Sequence, residues 1–169
     1  MKRILAPIVL LTLLVPSLAL GVDWYDLVER EGLNYEKFSD VPFTGRVTGE
    51  SEGFLKNGKI DGIWRQYYSS GQLWTKGTYK DGKSDGPSVM FHENGQLWTK
   101  GTYKDGKIDG LWVSYYEDGQ LQEQGTYKDG KMEGPWVFFN KDGIKRVTKD
   151  KHGFDEGSGT YRNGKKISD

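Results

Sequence analysis

The chain has 169 residues and no cysteine, and its 24 Lys and Arg residues balance its 24 Asp and Glu residues. The lack of cysteine excludes disulfide bonds and a cysteine-linked lipid anchor, so the fold must be held together by packing alone. A chain this close to neutrality lacks the basic excess of nucleic-acid-binding proteins, so we expect no nucleic-acid partner. Its length is enough for one domain.

Residues 1–21 have the pattern of a secretory signal peptide. The basic start Met1–Arg3 precedes the apolar run Ile4–Leu20, and small residues close it at Ala19 and Gly21. The alternative is an uncleaved membrane anchor, but the run contains two prolines and is short for a bilayer span of about 20 residues. The sequence therefore predicts an exported chain, periplasmic or secreted, and the absence of disulfides favours a bacterial envelope.

Residues 22–52 form an N-terminal segment of different character. Asp23–Glu31 is compatible with a short helix, because three of its apolar residues have helical spacing. Leu33–Phe38 and Phe43–Val47 then predict two strands, with Pro42 in the turn between them. This segment either caps the first strand of the repeats or lies as an arm along one face of their sheet.

A repeat with a step of about 24 residues governs the rest of the chain. The stretch Gly71–Lys83 recurs almost unchanged from Gly95 and, with more changes, from Gly119. A period of this size is typical of proteins that stack one supersecondary unit on itself, so that each copy buries its apolar face against its neighbours. Extended in both directions, it gives four repeats over residues 53–148, then an irregular stretch and a terminal half-repeat over residues 149–169.

Glycines at two alternating spacings punctuate the repeats, a longer one as from Gly58 to Gly71 and a shorter one as from Gly71 to Gly82. The full set is Gly58, Gly71, Gly82, Gly95, Gly106, Gly119, Gly130 and Gly143. All but Gly71 follow Asn or Asp, and such pairs favour two-residue type I′ hairpin turns. We therefore expect an all-β fold, an elongated single-layer antiparallel β-meander of stacked hairpin repeats.

Pairing across the turn at Asp105-Gly106 sorts the side chains onto two faces, because successive residues of a strand point to opposite sides. The expected pairs are Lys104 with Lys107, Tyr103 with Ile108, and Gly101 with Gly110. The first face then carries columns of aromatic side chains, namely Tyr79, Tyr103 and Tyr127 beside Trp64, Trp112 and Trp136. Tyr116 and Leu121 are expected opposite each other on this face.

Paired glycines predict a bare stripe on the first face. The pairs are Gly77 with Gly86, Gly101 with Gly110, and Gly125 with Gly134. Glycine inside a strand usually marks a bend or a close approach by another group. We expect neighbouring tyrosine and tryptophan rings to lie across the stripe.

Apolar residues on the second face predict either a second layer or a surface kept for a partner. The candidate binding residues are Trp74, Trp98, Tyr67, Phe91, Tyr115 and Phe139. Tryptophan is enriched at the centres of binding interfaces, but polar residues replace it at Gln122 and Arg146 in later repeats. Burial of these tryptophans under the N-terminal segment and exposure as a protein-binding strip both remain open.

Catalytic constellations are hard to find, so we expect no enzyme, no catalytic residues and no metal site. A carboxylate precedes a glycine in every repeat, at Asp61, Asp85, Asp109 and Glu133. Two acids facing one sugar would do glycosidase work, but nothing singles out one pair from four equivalents, and charge balance with nearby lysines is favoured. His92 substitutes for Tyr or Asn in a tolerant column, and His152 is expected in a solvated loop.

Lysines at the turns form a row along one edge of the predicted sheet. They are Lys80, Lys83, Lys104, Lys107, Lys128 and Lys131. Such a row would contact anionic lipid headgroups, each charge adding up to about 1 kcal/mol near a membrane. The alternative is that these lysines keep the turns soluble and prevent edge pairing.

The repeat unit Gly-Gln-Leu-x-x-x-Gly-Thr-Tyr-Lys-Asp-Gly-Lys-x-Asp/Glu-Gly-x-Trp-Val-x-Tyr/Phe-Tyr/Phe resembles the MORN repeat, in the bacterial variant form often labelled YwqK-type antitoxin. The resemblance covers about residues 43–165. It implies an elongated single-layer sheet of stacked hairpins with no cofactor. It further implies protein binding, membrane association or scaffolding as the type of function.

The predicted function is that of an exported, non-enzymatic repeat scaffold that binds another protein or macromolecule in the cell envelope. One alternative is a module that binds anionic lipid through the lysine row. A second is an antitoxin or immunity partner, and a third is a hydrolase of envelope glycans that uses one acid pair.

Overall fold

The computed structural model of the protein describes residues 21–146 and 157–169. The predicted signal peptide falls almost wholly in residues 1–20, outside the described residues, as does most of the predicted irregular stretch. Among the residues that are described, no helix is long and apolar enough to cross a membrane.

The described residues form sixteen strands and one 3-10 turn. In chain order they are β1 Val22–Asp23, the 3-10 turn Trp24–Asp26, β2 Leu27–Arg30, β3 Leu33–Glu36, β4 Gly45–Thr48, β5 Ser51–Lys56, β6 Lys59–Ile60, β7 Gly62–Tyr67, β8 Leu73–Lys80, β9 Lys83–Phe91, β10 Leu97–Lys104, β11 Lys107–Ile108, β12 Gly110–Tyr115, β13 Leu121–Lys128, β14 Lys131–Phe138, β15 Gly159–Arg162 and β16 Lys165–Ser168.

Fourteen of the strands form one sheet, in the order β1-β4-β5-β7-β8-β9-β10-β12-β13-β14-β15-β16, with β6 beside β5 and β11 beside β10. Every pairing in it is antiparallel except that of β1 with β4. Strands β2 and β3 form a separate hairpin. The predicted all-β meander of stacked hairpins is confirmed.

Five of the Asn-Gly and Asp-Gly pairs form the expected two-residue turn. At Asp105-Gly106 both central residues have positive φ, 49° and 83°, as a type I′ turn requires. The other four are Asn57-Gly58, Asp81-Gly82, Asp129-Gly130 and Asn163-Gly164. All five lie at one edge of the sheet, called here the lysine edge because Lys or Arg flanks each turn.

The turns at Gly71, Gly95, Gly119 and Gly143 are longer than predicted. In the first, Gly71 N–H donates to the Tyr68 carbonyl oxygen and Tyr68 N–H donates to the Gln72 carbonyl oxygen, both at 2.8 Å, so three residues lie between the closing pair. Only the glycine has positive φ, the pattern of a type I turn followed by a left-handed residue. Before Gly95 and Gly119 the side chains of Asn94 and Asp118 instead accept a backbone N–H, from Gln96 and Gln120.

A one-residue bulge cancels the offset that each three-residue loop introduces. Tyr67 pairs with Leu73 but Gln66 pairs with Thr75, which leaves Trp74 as an extra residue in β8. The equivalent extra residues are Trp98 in β10 and Gln122 in β13.

The bulge changes one expected pair at the loop and leaves the expected pairs beyond it in place. Tyr115, rather than Tyr116, pairs with Leu121, so the expected pairing of Tyr116 was wrong. Beyond the bulge, Ser114 pairs with Glu123, which is the register that a two-residue turn would have given. The face assignment of the strands therefore survives.

The predicted glycine pairs are wrong because two extra residues enter after the type I′ turns at Asp81, Asp105 and Asp129. Lys104 pairs with Lys107 and Tyr103 with Ile108 as expected, but Lys100 then pairs with Val113. Gly110, with φ of 121°, lies within this irregularity and does not face Gly101. Glycine suits the position because side-chain-bearing residues avoid such a φ.

A row of alternating glycine and tryptophan crosses the first face instead of a bare stripe. Its members are Gly53, Trp64, Gly77, Ser88, Gly101, Trp112, Gly125, Trp136 and Gly159. A Cβ added to Gly101 would lie 2.5 Å from Cε3 of Trp112, and one added to Gly125 would collide with the Trp136 ring. The expectation that rings cover the glycines is confirmed, and Ser88 breaks the alternation.

The core lies on the first face and consists of these rings and their neighbours. At the N-terminal end, Val47, Leu55 and Trp64 are buried together. At the other end, the Tyr127 ring contacts Trp136 edge to face at a centroid distance of 4.8 Å. Because each ring lies over a strand that lacks a side chain there, one sheet buries its own aromatic residues without a second layer.

The N-terminal segment caps the first face at its first strands. The predicted helix at Asp23–Glu31 is wrong: this stretch makes one 3-10 turn and then enters β2, which pairs with β3. Trp24 packs edge to face on Trp64 at 5.4 Å, and Asn34 N–H donates to the Gly58 carbonyl oxygen at 2.9 Å. Burial against the core and strand pairing together outweigh weak helical spacing.

Candidate binding surface

The second face of β7–β14 is the surface left open by the cap. The N-terminal segment packs against Val47, Leu55 and Trp64 on the first face. Trp74 and Trp98, which are 37% and 38% exposed, occupy the bulge position that Gln122 holds in β13. The Ser114 hydroxyl, on the first face, donates to Gln122 Oε1 at 3.4 Å, so this bulge position also lies on the first face.

Each exposed tryptophan stands beside an aromatic residue of the preceding strand end. The Trp74 ring lies 6.1 Å from that of Tyr68, and the Trp98 ring lies 5.6 Å from that of His92, tilted by 31°. Tyr116 is the equivalent of His92 one repeat later and lines a groove together with Trp98 and His92. The assignment of Trp74 and Trp98 to the second face was therefore wrong, because the bulge turns these side chains over, whereas Tyr116 keeps the first face that alternation with Tyr115 gives it.

Tyr68, His92 and Tyr116 also join successive repeats. The hydroxyl of Tyr68 donates to the Phe91 carbonyl oxygen at 2.8 Å. The hydroxyl of Tyr116 donates to the Phe139 carbonyl oxygen, also at 2.8 Å. His92 Nε2 lies 3.1 Å from the Tyr115 carbonyl oxygen, so this nitrogen carries the proton. In the sequence this column stood out only because it accepts different residue types. In the structure its side chains form a series of hydrogen bonds from each repeat to the next.

The remaining candidate residues, Tyr67, Phe91, Tyr115 and Phe139, are half-buried at the strand ends on the second face. The hydroxyl of Tyr67 donates to Glu52 Oε2 at 3.0 Å. Burial, with the hydrogen bond to Glu52 next in size, raises the pKa of Tyr67 above its usual value. These side chains are less exposed than Ile63 and Leu111 of the same face.

Sequence reasoning missed a more exposed apolar column. Its members recur once in every repeat and are Ile63, Pro87, Leu111 and Pro135, all exposed. Ile63 and Leu111 are 47% and 57% exposed. These positions recur with the period of the repeat, so the sequence contained the information. An alternation of aliphatic and proline residues, however, does not stand out as a motif.

A recess of about 220 Å³ opens beside this column. Ile63, Lys76, Thr78, Pro87 and Val89 line it, and the backbone at Gly77 and Ser88 completes it. It is the kind of surface feature that accepts one apolar side chain, with an ammonium group at its rim.

Two of the four repeated carboxylates support the turns at the lysine edge. Asp109 Oδ2 accepts the backbone N–H of Asp129 at 3.1 Å, and Glu133 Oε2 accepts the backbone N–H of Asn163 at 2.9 Å. Both acids thus hold the type I′ turn of the next repeat. This role accounts for Asp109 and Glu133 without a substrate.

The lysine row likewise packs along the turns. A Cβ added to Gly106 would lie 3.9 Å from the Lys83 side chain, and one added to Gly130 would lie 3.8 Å from that of Lys107. The aliphatic stems therefore cover the glycines of the next turn while the ammonium groups stay at the edge. Lys80, Lys104 and Lys128 end the preceding strands and are exposed.

The described residues contain no group of three or more His, Cys, Asp or Glu side chains able to hold a metal ion. His92 serves the inter-repeat hydrogen bond described above, and His152 lies outside the described residues.

Comparison with known families agrees with this geometry. The family model described as MORN repeat variant matches residues 60–81, 84–105 and 108–129. No curated protein matches the chain significantly. MORN repeats are generally modules that bind proteins or membranes. Residues 60–129 of this chain are therefore similar to three consecutive repeats of the MORN variant family.

Proposed function

We propose that the protein is an exported, non-enzymatic repeat scaffold that binds another protein in the cell envelope through the second face of β7–β14. The observation that carries the proposal is the column of exposed apolar side chains that recurs from repeat to repeat on this face, with Ile63 and Leu111 47% and 57% exposed and Pro87 between them. Trp74 and Trp98 are exposed on the other face and do not belong to this surface.

The two faces of the sheet differ in a way that supports this assignment. The first face is filled by its own aromatic rings and by the N-terminal cap. The second face keeps a periodic set of apolar side chains in solvent, which a monomeric protein rarely does without a partner. Ile63, Pro87 and Leu111 lie on every second strand of this face, about 9.6 Å apart at the usual strand spacing, so one partner can contact all three.

The test is a pull-down from envelope extract with the chain lacking residues 1–21, compared with the double variant Ile63→Ser/Leu111→Ser. We expect a retained protein that the double variant loses. Tyr25→Ser is a matched control, because Tyr25 is 64% exposed but lies on the N-terminal cap. Equal retention by all three forms would refute the assignment of the surface.

Export is tested separately by fractionation of cells that produce the full chain and by N-terminal sequencing. We expect the protein in the envelope or medium, beginning near Val22. Recovery in the cytoplasm with Met1 intact would refute the proposed location.

A further inference from the structure

A row of cross-strand partners runs through the middle of the second face, on the reverse side of the glycine and tryptophan row. Register places its members side by side, in the order Glu52, Arg65, Lys76, Val89, Lys100, Val113, Gln124 and Val137. We call it the central row. Three of its members are cations, and its only carboxylate stands at the first position, on β5.

The central row leaves two lysines without a carboxylate beside them. Lys76 lies directly opposite Arg65 on one side and Val89 on the other, and Lys100 lies between Val89 and Val113. Like charges directly opposite each other are destabilising in a sheet. Both lysines are exposed, and neither forms a salt bridge with another described residue.

The other acids near this face lie at its margins or are already engaged. Asp109 and Glu133 hold turn amides at the lysine edge. Glu123 points to the first face, where it accepts the indole N–H of Trp112 at 2.8 Å. The middle of the face therefore keeps unneutralised positive charge between apolar side chains.

The face has the size of a protein interface. Seven strands at about 4.8 Å spacing span about 30 Å, and strands of six to nine residues are about 20–30 Å long. The resulting area of about 700 Å² is close to the roughly 800 Å² that each partner buries in a stable complex of standard size.

The recess at Ile63 and Pro87 distinguishes a protein partner from a lipid surface. A side chain of a folded partner can fill a recess, whereas a layer of lipid headgroups presents none. Lys76 stands at the rim of this recess, so the side chain that fills it would be apolar and would have a carboxylate beside it.

We propose that the partner is an acidic protein, with apolar side chains set among Asp and Glu, that binds across β7–β14 opposite Lys76 and Lys100. This inference rests on the proposed function and names the chemistry of its partner. Complementary charge steers association and rejects wrong partners, and the apolar column supplies the desolvated centre. The two roles fall on alternate strands: Lys76 and Lys100 lie on β8 and β10, whereas Ile63, Pro87 and Leu111 lie on β7, β9 and β12.

The test is selection of random dodecapeptides, displayed on phage, against the chain lacking residues 1–21. Selection is repeated on Lys76→Glu/Lys100→Glu, on Ile63→Ser/Leu111→Ser and on the control Lys165→Glu, an exposed lysine of β16. We expect enriched peptides with an excess of Asp and Glu and at least one large apolar residue. Their Kd should rise at least tenfold on the charge-reversed variant and in high salt, and stay unchanged on the control.

Enrichment of neutral or basic peptides, or no enrichment, would overturn the inference. If such neutral or basic peptides still require Ile63 and Leu111, the proposed function stands and only the acidic partner fails. If neither double variant weakens binding of the selected peptides, both fail. Binding to vesicles of phosphatidylcholine and phosphatidylglycerol, mixed two to one, that is lost on Lys76→Glu/Lys100→Glu, without peptide enrichment, would replace the acidic protein by a lipid surface.

Discussion

The indole ring of Trp136 lies over Gly125 of the neighbouring strand so closely that a Cβ at residue 125 would collide with it. Gly125→Ala should therefore destabilise the fold by about 1–3 kcal/mol, the usual cost of overpacking. The measurement is urea unfolding followed by fluorescence. Gly77→Ala is the matched control, since its nearest neighbour would be the Tyr79 ring at 3.1 Å; equal losses for the two variants would contradict this interpretation.

Ser88 is the place where the tryptophan row is interrupted. It pairs with Gly77 on one side and with Gly101 on the other, and in the neighbouring repeats a tryptophan covers the glycine equivalent to Gly77. Ser88→Trp should cover Gly77 and stabilise the protein by about 1–3 kcal/mol, seen as a higher midpoint of thermal unfolding. Ser114→Trp, at a buried site outside the row, should destabilise it, and a lower midpoint for Ser88→Trp would contradict the repeat geometry.

The hydrogen bonds from Tyr68 and Tyr116 to the next repeat predict a cost for removing the hydroxyl. Tyr116→Phe leaves the Phe139 carbonyl oxygen without its partner at 2.8 Å and should lower the free energy of unfolding by about 0.5–1.5 kcal/mol. Tyr103→Phe should be close to neutral, because the Tyr103 hydroxyl makes no hydrogen bond within the described residues. His92→Tyr should be tolerated, since a tyrosine at this position makes the same bond in both neighbouring repeats.

The turn-holding acids give a prediction that separates structure from catalysis. Asp109→Ala should lower the free energy of unfolding by about 1 kcal/mol, since the Asp129 N–H loses its acceptor. Asp85→Ala should cost less, because the Asp85 carboxylate accepts no hydrogen bond from the part of the chain that the structure describes. Incubation with peptidoglycan fragments tests the alternative: cleavage by the parent chain that Asp109→Ala abolishes would establish a hydrolase instead.

High pH should unfold the protein partly through its buried tyrosines. Burial raises the pKa of Tyr103 and Tyr127 above the ordinary value of 10.0. The folded state therefore holds these protons more tightly than the unfolded state, so stability is intact below pH 10 and falls as the pH rises through the folded pKa. Tyr127→Phe should reduce this fall, measured by urea unfolding between pH 9 and pH 12; an identical pH dependence would contradict it.

The repeat length, the strand pairing near the type I′ turns and the two aromatic columns of the first face were all predictable from the sequence. They depend on local rules: the Asp-Gly turn and the alternation of side chains along a strand. The three-residue loops were not, because Asn94-Gly95 and Asp81-Gly82 use the same dipeptide type in different ways. At Asn94 the side chain accepts the Gln96 N–H, so the residue does not adopt a left-handed conformation.

The candidate surface was only partly predictable for the same reason. Trp74 and Trp98 were singled out because tryptophan is conspicuous, but the bulge that places them on the first face depends on how many residues each loop contains. The prediction of a helix at Asp23–Glu31 was wrong because the hairpin with β3 and the contact of Trp24 with Trp64 determine the conformation of that segment. Contacts of this kind join residues far apart in the chain and leave no local pattern.

The bulges at Trp74, Trp98 and Gln122 bear on how such an array can change its length. Each loop displaces the ladder by one residue and the bulge restores it, so one complete repeat unit can be duplicated or excised without turning any side chain from core to solvent. A single-residue insertion in one loop would reverse both sides of every strand after it.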